Sequence, residues 1–411
     1  MEGKTVAVVV LGDLAQSPRM IAHALALAAS GAQVRLAGYV GDAGLPDLPA
    51  GVRVHPIAGL GTRRWGALPR PVYLPLAGLR AAIMALRIRH ALGAAFAGAD
   101  LVLFQAPPVV PALPLALMEA RRRGIGLVID WHNLSHAMLA LRLGARHPLV
   151  GALRRAEGRW GRRAAGHLAV TPILADRLAA MWGIAGAAVL PDRPLRVEAP
   201  LVGEERRAAL ARVVAALGGD PALAADRVVV SPTSWSLDED MGMALDAAAM
   251  LDPAAGSVLL VATGRGPGRE AFVRRAHALQ SSRLQVLTGW LCEEDFRLLL
   301  RAADMGISLH RSASEADFPM KISDMVGAGL PILALDYGPG LRAGLPPAPA
   351  AATFRDAAGL AHHLSNWQRD DALAAARRAA AAAGGGWNET WAEAWDRCAA
   401  AVLAAALGRV K

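Results

Sequence analysis

Short apolar runs, glycine- and proline-marked turns and stretches of helical spacing follow one another along the whole chain. Residues 5–11 read as a buried strand, 12–17 as a loop, and Pro18 opens a helix that continues to Ser30 and is ended by Gly31. Strands are predicted at 33–39, 53–57, 101–104, 127–130 and 167–170, with helices at 72–96, 109–123, 149–165 and 173–182. Buried strands alternating with amphipathic helices imply a parallel, doubly wound sheet. Three prolines within 190–200 mark a boundary, and 204–226 reads as a helix and connector. The rhythm then resumes with strands at 228–230, 259–263, 284–287, 305–309 and 332–335, and a last amphipathic helix at 387–407. The expected organisation is 1–195 and 196–386, followed by a terminal helix in 387–411.

Composition agrees with two packed α/β domains. A chain of 411 residues exceeds one typical core. Charged residues make up 19% and the mean hydropathy is positive, which excludes a disordered chain. Cys292 and Cys398 form no metal-ligand spacing, so a reducing compartment is expected. The net charge of +9 asks for an anionic partner. No nucleic-acid motif accompanies it and aromatics are scarce, so an anionic membrane surface is the expected partner, not nucleic acid. Basic helices at 70–89 and 142–163 are the candidates for that surface, the alternative being ordinary core helices with a solvated basic face. The longest uncharged run, 101–118, contains Pro107, Pro108, Pro111 and Pro114 and does not read as a membrane span. No signal peptide is legible, since the chain enters its first strand directly. A cytoplasmic protein, peripheral on the membrane, is expected.

The stretch 303–336 carries the densest candidate chemistry. It reads strand, loop, helix, strand, with Pro319 as the first helical residue. If the helix begins near Asp317, then Asp317, Lys321 and Asp324 share one face. A helix N-terminus bearing a lysine suits a phosphate, and a carboxylate one turn further in suits a ribose diol. The plain alternative is a surface Lys–Asp pair. Elsewhere, Arg265 and Gly266 lie in a GRGP turn beside a strand end, suited to phosphate or simply to a turn. Trp290 and Leu291 follow Gly289 and would flank a base, or else Trp290 is a core residue. The triplet Asp238–Glu239–Asp240 invites a divalent cation, but acidic residues in a first helical turn are ordinary, and no metal is expected. In 12–19, Gly12 permits close backbone approach, Asp13 is a candidate base or a turn cap, and Arg19 is a pyrophosphate ligand or a solvated arginine. Asp130 and His132 end a strand, where parallel sheets build ligand crevices.

Five segments, in order, resemble the chitobiosyldiphosphodolichol beta-mannosyltransferase family: LGDLAQSPRM, VIDWHN, TSWSLDED, TGRGP with GWL, and DFPMKISDMVGAGLP. The resemblance implies a GT-B fold, two Rossmann-like domains facing a central cleft, with the terminal helix returning to the first domain. It implies that Lys321 contacts the donor diphosphate, Asp324 the ribose, and His132 the transferred sugar, with His310 a weaker sugar-site candidate. Retaining relatives carry a glutamate eight positions before the ribose carboxylate, where this chain has Ala316. The family has its aspartate one position later, at Asp317, which argues for inversion. The implied reaction transfers mannose from GDP-mannose, without a cofactor, to a saccharide on a polyprenyl diphosphate, and the base is Asp13, His132 or Asp130, the first two preferred. Eukaryotic members have an N-terminal membrane anchor; here attachment is expected to be peripheral, on the cytosolic face. The alternatives are a GT-B transferase using a UDP-sugar for a surface polysaccharide, and an inactive sugar-nucleotide-binding scaffold.

Overall fold

The computed structural model describes the chain except residues 42–44, 46, 58–69, 226, 237, 252–256, 280–283, 368, 383–388 and 409–411, and except the side chains of 16, 70–81, 224 and 225. Two compact units emerge, Met1–Pro191 with Ala392–Lys411, and Asp192–Trp391. The first holds β1 (Thr5–Asp13), β2 (Gln33–Tyr39), β3 (Val52–Pro56), β4 (Leu101–Ala106), β5 (Gly126–Trp131), β6 (Gly166–Ala169) and β7 (Ala188–Val189). Among the described residues they form one sheet, ordered 3-2-1-4-5-6-7, all pairings parallel. The second holds β8 (Arg227–Pro232), β9 (Val258–Thr263), β10 (Leu284–Gly289), β11 (Met305–Ser308), β12 (Ile332–Leu335) and β13 (Ala351–Phe354), ordered 10-9-8-11-12-13 and again parallel.

Each sheet reverses its strand order once, at β1/β4 in the first unit and at β8/β11 in the second. Loops leaving the carboxyl ends of strands at such a reversal are where open α/β sheets bind ligands. Parallel strands covered on both faces must be apolar throughout, and Val6–Val9, Leu101–Phe104, Val258–Ala262 and Ile332–Leu335 are all buried.

Several local expectations are corrected. β1 runs on to Asp13, with a register shift between Val9 and Asp13, so Gly12 belongs to the strand end and not to a loop. A Cβ on Gly12 would meet only ordinary contacts at 3.5 Å, so no close approach requires glycine there. β7, β13 and the helix Ser135–Leu143 were not anticipated; the two strands are two and four residues long and carry little periodicity. The basic helix spans Pro148–Gly161, and the terminal helix is Trp391–Gly408; residues 387 and 388, expected at its start, lie outside the described residues. That terminal helix packs in the first unit, where Ala406 and Val402 lie against Gly126 and Gly166. A Cβ on those glycines would sit 2.7 and 2.9 Å from the helix. Among the described residues no helix is long and apolar enough to cross a membrane.

Candidate functional site

In the second unit, the β8 and β11 loops are knitted together at the reversal point. Residues 238–240 run antiparallel to 310–311: Glu239 bridges His310, Asp240 N donates to Leu309 O at 3.0 Å, and Arg311 N donates to Asp238 O at 2.6 Å. The acidic triplet lies ahead of its helix, which begins at Gly242, and each carboxylate takes a different cation. Asp238 Oδ2 faces His310 Nδ1 at 3.4 Å, Glu239 pairs with Lys321, and Asp240 Oδ2 accepts from Arg311 Nη2 at 2.9 Å. First-turn helix acids, as expected from sequence, these are not. Among the described residues no cluster of His, Cys, Asp and Glu has the arrangement of a metal site.

His310 is a clamp. Its Nε2 lies 3.3 Å from Asp317 Oδ2, and the Tyr337 ring meets it edge-on, the Tyr337 hydroxyl donating to Asp317 O at 2.9 Å. Burial alone would lower the imidazole, but Asp238 and Asp317 raise it to about 9, so it is an imidazolium at neutral pH. Hydrogen bonding to His310 in turn holds the Asp238 carboxyl well below its ordinary value.

The helix after this loop is Met320–Gly327, with Pro319 at its N-cap instead of inside it, and no side chain caps it. Asp317 is therefore off the helix, committed to the His310 clamp, and does not share a face with Lys321 and Asp324. Those two remain three residues apart, Lys321 in the first turn of the helix and Asp324 one turn on. Burial lowers the Lys321 ammonium to about 8, and it pairs with Glu239. Burial, helped by the Asp192 carboxylate, raises Asp324 to about 7. Asp192 is held close by its backbone carbonyl, which accepts from Ser323 Oγ at 3.0 Å.

The GRGP turn packs backbone against backbone. A Cβ on Gly264 would lie 1.7 Å from Thr233 O, and one on Gly266 1.9 Å from Ser234 O. Gly264 also has φ +147, so both space and conformation demand glycine. Trp235 seals the turn, its indole donating to Gly264 O at 3.2 Å and its ring 5.1 Å from Phe272. Arg265 lies over the Trp290 ring at 4.6 Å, and Trp290 is 49% exposed, so it is not a core residue. Leu291 beside it is buried.

In the first unit, two expected roles are overturned. Arg19 is 1% exposed and Asp130 is 0% exposed; Nε and Nη2 of the arginine bind Oδ2 and Oδ1 of the carboxylate at 2.7 and 2.8 Å. Arg19 thus anchors Asp130 and is not a pyrophosphate ligand. Burial would raise the Asp130 carboxyl, but Arg19 and His23 outweigh it and hold it well below the usual carboxylate range, unsuited to a base near neutral pH. His23, unmarked in the sequence, completes the chain. The Trp395 indole donates to its Nδ1 at 3.0 Å, so Nε2 carries the proton offered to Asp130 at 3.2 Å. Burial keeps this imidazole neutral. A histidine on an apolar helix face gave no signal of this.

Asp13 caps the turn after β1, its Oδ1 accepting from Ala15 N at 3.0 Å. His132 leaves β5 with its N–H on Ala106 O at 2.8 Å. The loop behind it is set by Glu157, fully buried in the basic helix, which accepts from Ser135 N and His136 N at 2.6 and 3.1 Å. This carboxylate, too, was missed; it sits among arginines and reads as surface. The same helix turns Gly158 and Gly161 inward onto Trp182 and Trp131, where a Cβ would meet the rings at 2.4 and 3.0 Å.

Comparison with known proteins agrees with this architecture. Residues 258–402 match a family described as glycosyl transferase-like. Solved structures similar in fold include a glycosyltransferase from Rickettsia africae (TM-score 0.66, 13% identity, 99% of each chain covered). Another is Anabaena Alr3699/HepE in complex with UDP and glucose (0.65, 15%, 98% of this chain and 99% of that one). Among curated sequences, the chitobiosyldiphosphodolichol beta-mannosyltransferase of Yarrowia lipolytica is 35% identical, covering 81% of this chain and 73% of its own. The human protein of that name is 33% identical, covering 81% and 78%. The Arabidopsis UDP-glycosyltransferase TURAN is 33% identical, covering 80% and 82%. The chain is a GT-B glycosyltransferase and belongs to the chitobiosyldiphosphodolichol beta-mannosyltransferase family.

Proposed function

We propose that the chain transfers mannose from GDP-mannose, with inversion, to a saccharide carried on a polyprenyl diphosphate; the names of its relatives give, for them, beta-mannosyl transfer to chitobiosyldiphosphodolichol. The observation that carries the donor half is the helix Met320–Gly327. It starts uncapped beside the β8/β11 reversal, with Lys321 in its first turn and Asp324 one turn on. Lys321 and the helix N–H groups meet the diphosphate, and Asp324 meets the ribose. Arg265 adds charge against the leaving group, and Trp290 offers its exposed face to the base. The charge that develops on the leaving diphosphate is then met by fixed cations and dipoles, with no metal step. A base of the first unit, His132 or Asp13, takes the proton of the acceptor hydroxyl. One relative named as a UDP-glycosyltransferase keeps a UDP-sugar as the second reading.

A thermal-shift screen separates the two. GDP-mannose at about 100 Kd should stabilise the protein by ~2.7 kcal/mol, with UDP-sugars well below that; the reverse order would favour the second reading. In transfer to a chitobiose on a short prenyl diphosphate, His132→Ala should lower kcat by roughly 10²-fold if it is the base. Loss confined to donor affinity makes it a sugar ligand and moves the base to Asp13, tested by Asp13→Asn.

The acceptor's lipid calls for a membrane surface, and we place it on the helices Ser135–Leu143 and Pro148–Gly161. Leu141 and Leu149 are 64% and 58% exposed, with Met138 and Leu143 beside them in the sequence and Arg142, Arg146, Arg154 and Arg155 exposed around them. Apolar side chains ringed by arginines suit an anionic interface. Reversing Arg154, Arg155 and Arg159 to glutamate should abolish flotation with anionic vesicles and leave transfer to a soluble acceptor intact. Unchanged flotation would remove this face from the reading.

A further inference from the structure

We propose that Glu239 is a positioning residue for the donor diphosphate: its carboxylate ties the Lys321 ammonium to the rigid turn at Thr233–Trp235. This rests on the reading of Lys321 as a diphosphate contact, and goes beyond it in naming what aims the lysine.

The two oxygens of Glu239 do different things. Oε2 accepts from Thr233 Oγ1 at 2.5 Å, Ser234 N at 2.7 Å, and Trp235 N and Ser234 Oγ at 3.1 Å. Oε1 holds Lys321 Nζ. The turn that grips Oε2 is itself immobilised, because Gly264 and Gly266 press on the Thr233 and Ser234 carbonyls and Trp235 is buried at φ +53. A lysine is a point charge on a flexible four-carbon stem, with none of arginine's fixed geometry. Locating its charge therefore needs an anchor outside the lysine, and this structure supplies one. Asp238 also favours the charged ammonium through space, but its carboxylate is held at His310, and that of Asp240 at Arg311, so the direct contact on Lys321 is that of Glu239. The outer two members of the triplet staple the β8 and β11 loops together, and the central one sets the ammonium.

The opposite role has a distinct signature. If Glu239 instead stands where the diphosphate goes, occupying the Ser234 and Trp235 N–H groups until displaced, then removing its charge makes nucleotides bind more tightly.

The test is calorimetric titration of the full chain with GDP and with UDP between pH 6.5 and 9.5. The parent should lose affinity as pH rises through about 8, where Lys321 gives up its proton. Glu239→Gln should weaken binding at least tenfold at pH 7 and move that loss to lower pH, because the ammonium has lost its adjacent anion. Glu239→Asp, which keeps the charge but shortens the reach, should weaken binding while leaving the loss near its parental pH. Tighter binding by Glu239→Gln overturns the proposal, as does parental affinity, or a uniform loss with no displacement along pH. If Glu239→Gln does not fold by circular dichroism, Glu239→Asp decides, and unchanged affinity there overturns it. Lys321→Ala with parental nucleotide affinity, or no binding of either nucleotide by the parent, would instead remove the donor reading itself.

Discussion

Lys321→Ala is expected to weaken GDP and GDP-mannose alike, by roughly 10- to 100-fold, or about 1.4–2.7 kcal/mol. Both ligands carry the diphosphate, and the mannose adds nothing to a lysine–phosphate contact. The variant is interpretable because the loop it leaves behind keeps its shape: Glu239 stays fastened by Thr233, Ser234 and Trp235. Calorimetry with both ligands checks this, and unchanged GDP affinity would sink the assignment of this helix as the diphosphate site. Asp324→Asn is the companion. An acid whose folded pKa stands above its ordinary value of 3.8, here about 7, costs stability progressively as pH rises from about 4 to about 7. Above pH 7 the asparagine variant should therefore be more stable than the parent, by about 1 kcal/mol or more, while losing nucleotide affinity. A gain in stability coupled to a loss of binding marks a group kept for its ligand; a variant that binds normally would release Asp324 from the ribose role.

The second large effect belongs to the first unit. Asp130→Asn should destabilise it by about 3–5 kcal/mol, because a fully buried guanidinium loses its bidentate anion and His23 loses its acceptor charge. Urea unfolding followed by circular dichroism reads this directly. The pH dependence has a definite sign. The folded carboxyl is held below its ordinary value, so the pair's contribution is complete above about pH 4 and is lost as pH falls toward the depressed value. Were Asp130 the catalytic base, the asparagine variant would instead lose turnover at parental stability. That outcome would reverse the structural assignment.

How far these roles were legible in the chain depended on whether a role is local. Strand–helix alternation and the glycines and prolines between elements determined two parallel α/β units, because backbone burial and turn conformation act over a few neighbouring residues. Lys321 and Asp324 were likewise readable, since three residues along a helix place two side chains one turn apart whatever surrounds them. The bulge at the end of β1 and the start of the helix at Met320 instead of near Asp317 were not, because each is decided by what the segment packs against.

Charge partnership lay further out of reach. By sequence Arg19 was a pyrophosphate ligand or a solvated arginine and Asp130 a candidate base; the β1/β4/β5 order brings them together across 111 residues and buries both. His23 finds Trp395 across 372 residues, through a terminal helix whose docking no local pattern encodes. The acidic triplet read as first-turn helix acids or a cation site, and became three separate ion pairs once β8 and β11 were made neighbours. Propensity and periodicity are written in adjacent residues, so the chain by itself determined the longer elements and the spacing of the lysine and aspartate on one helix. An ion pair depends on which strands meet and how much water they exclude, so only the tertiary structure decided which charges anchor the fold and which remain for a ligand.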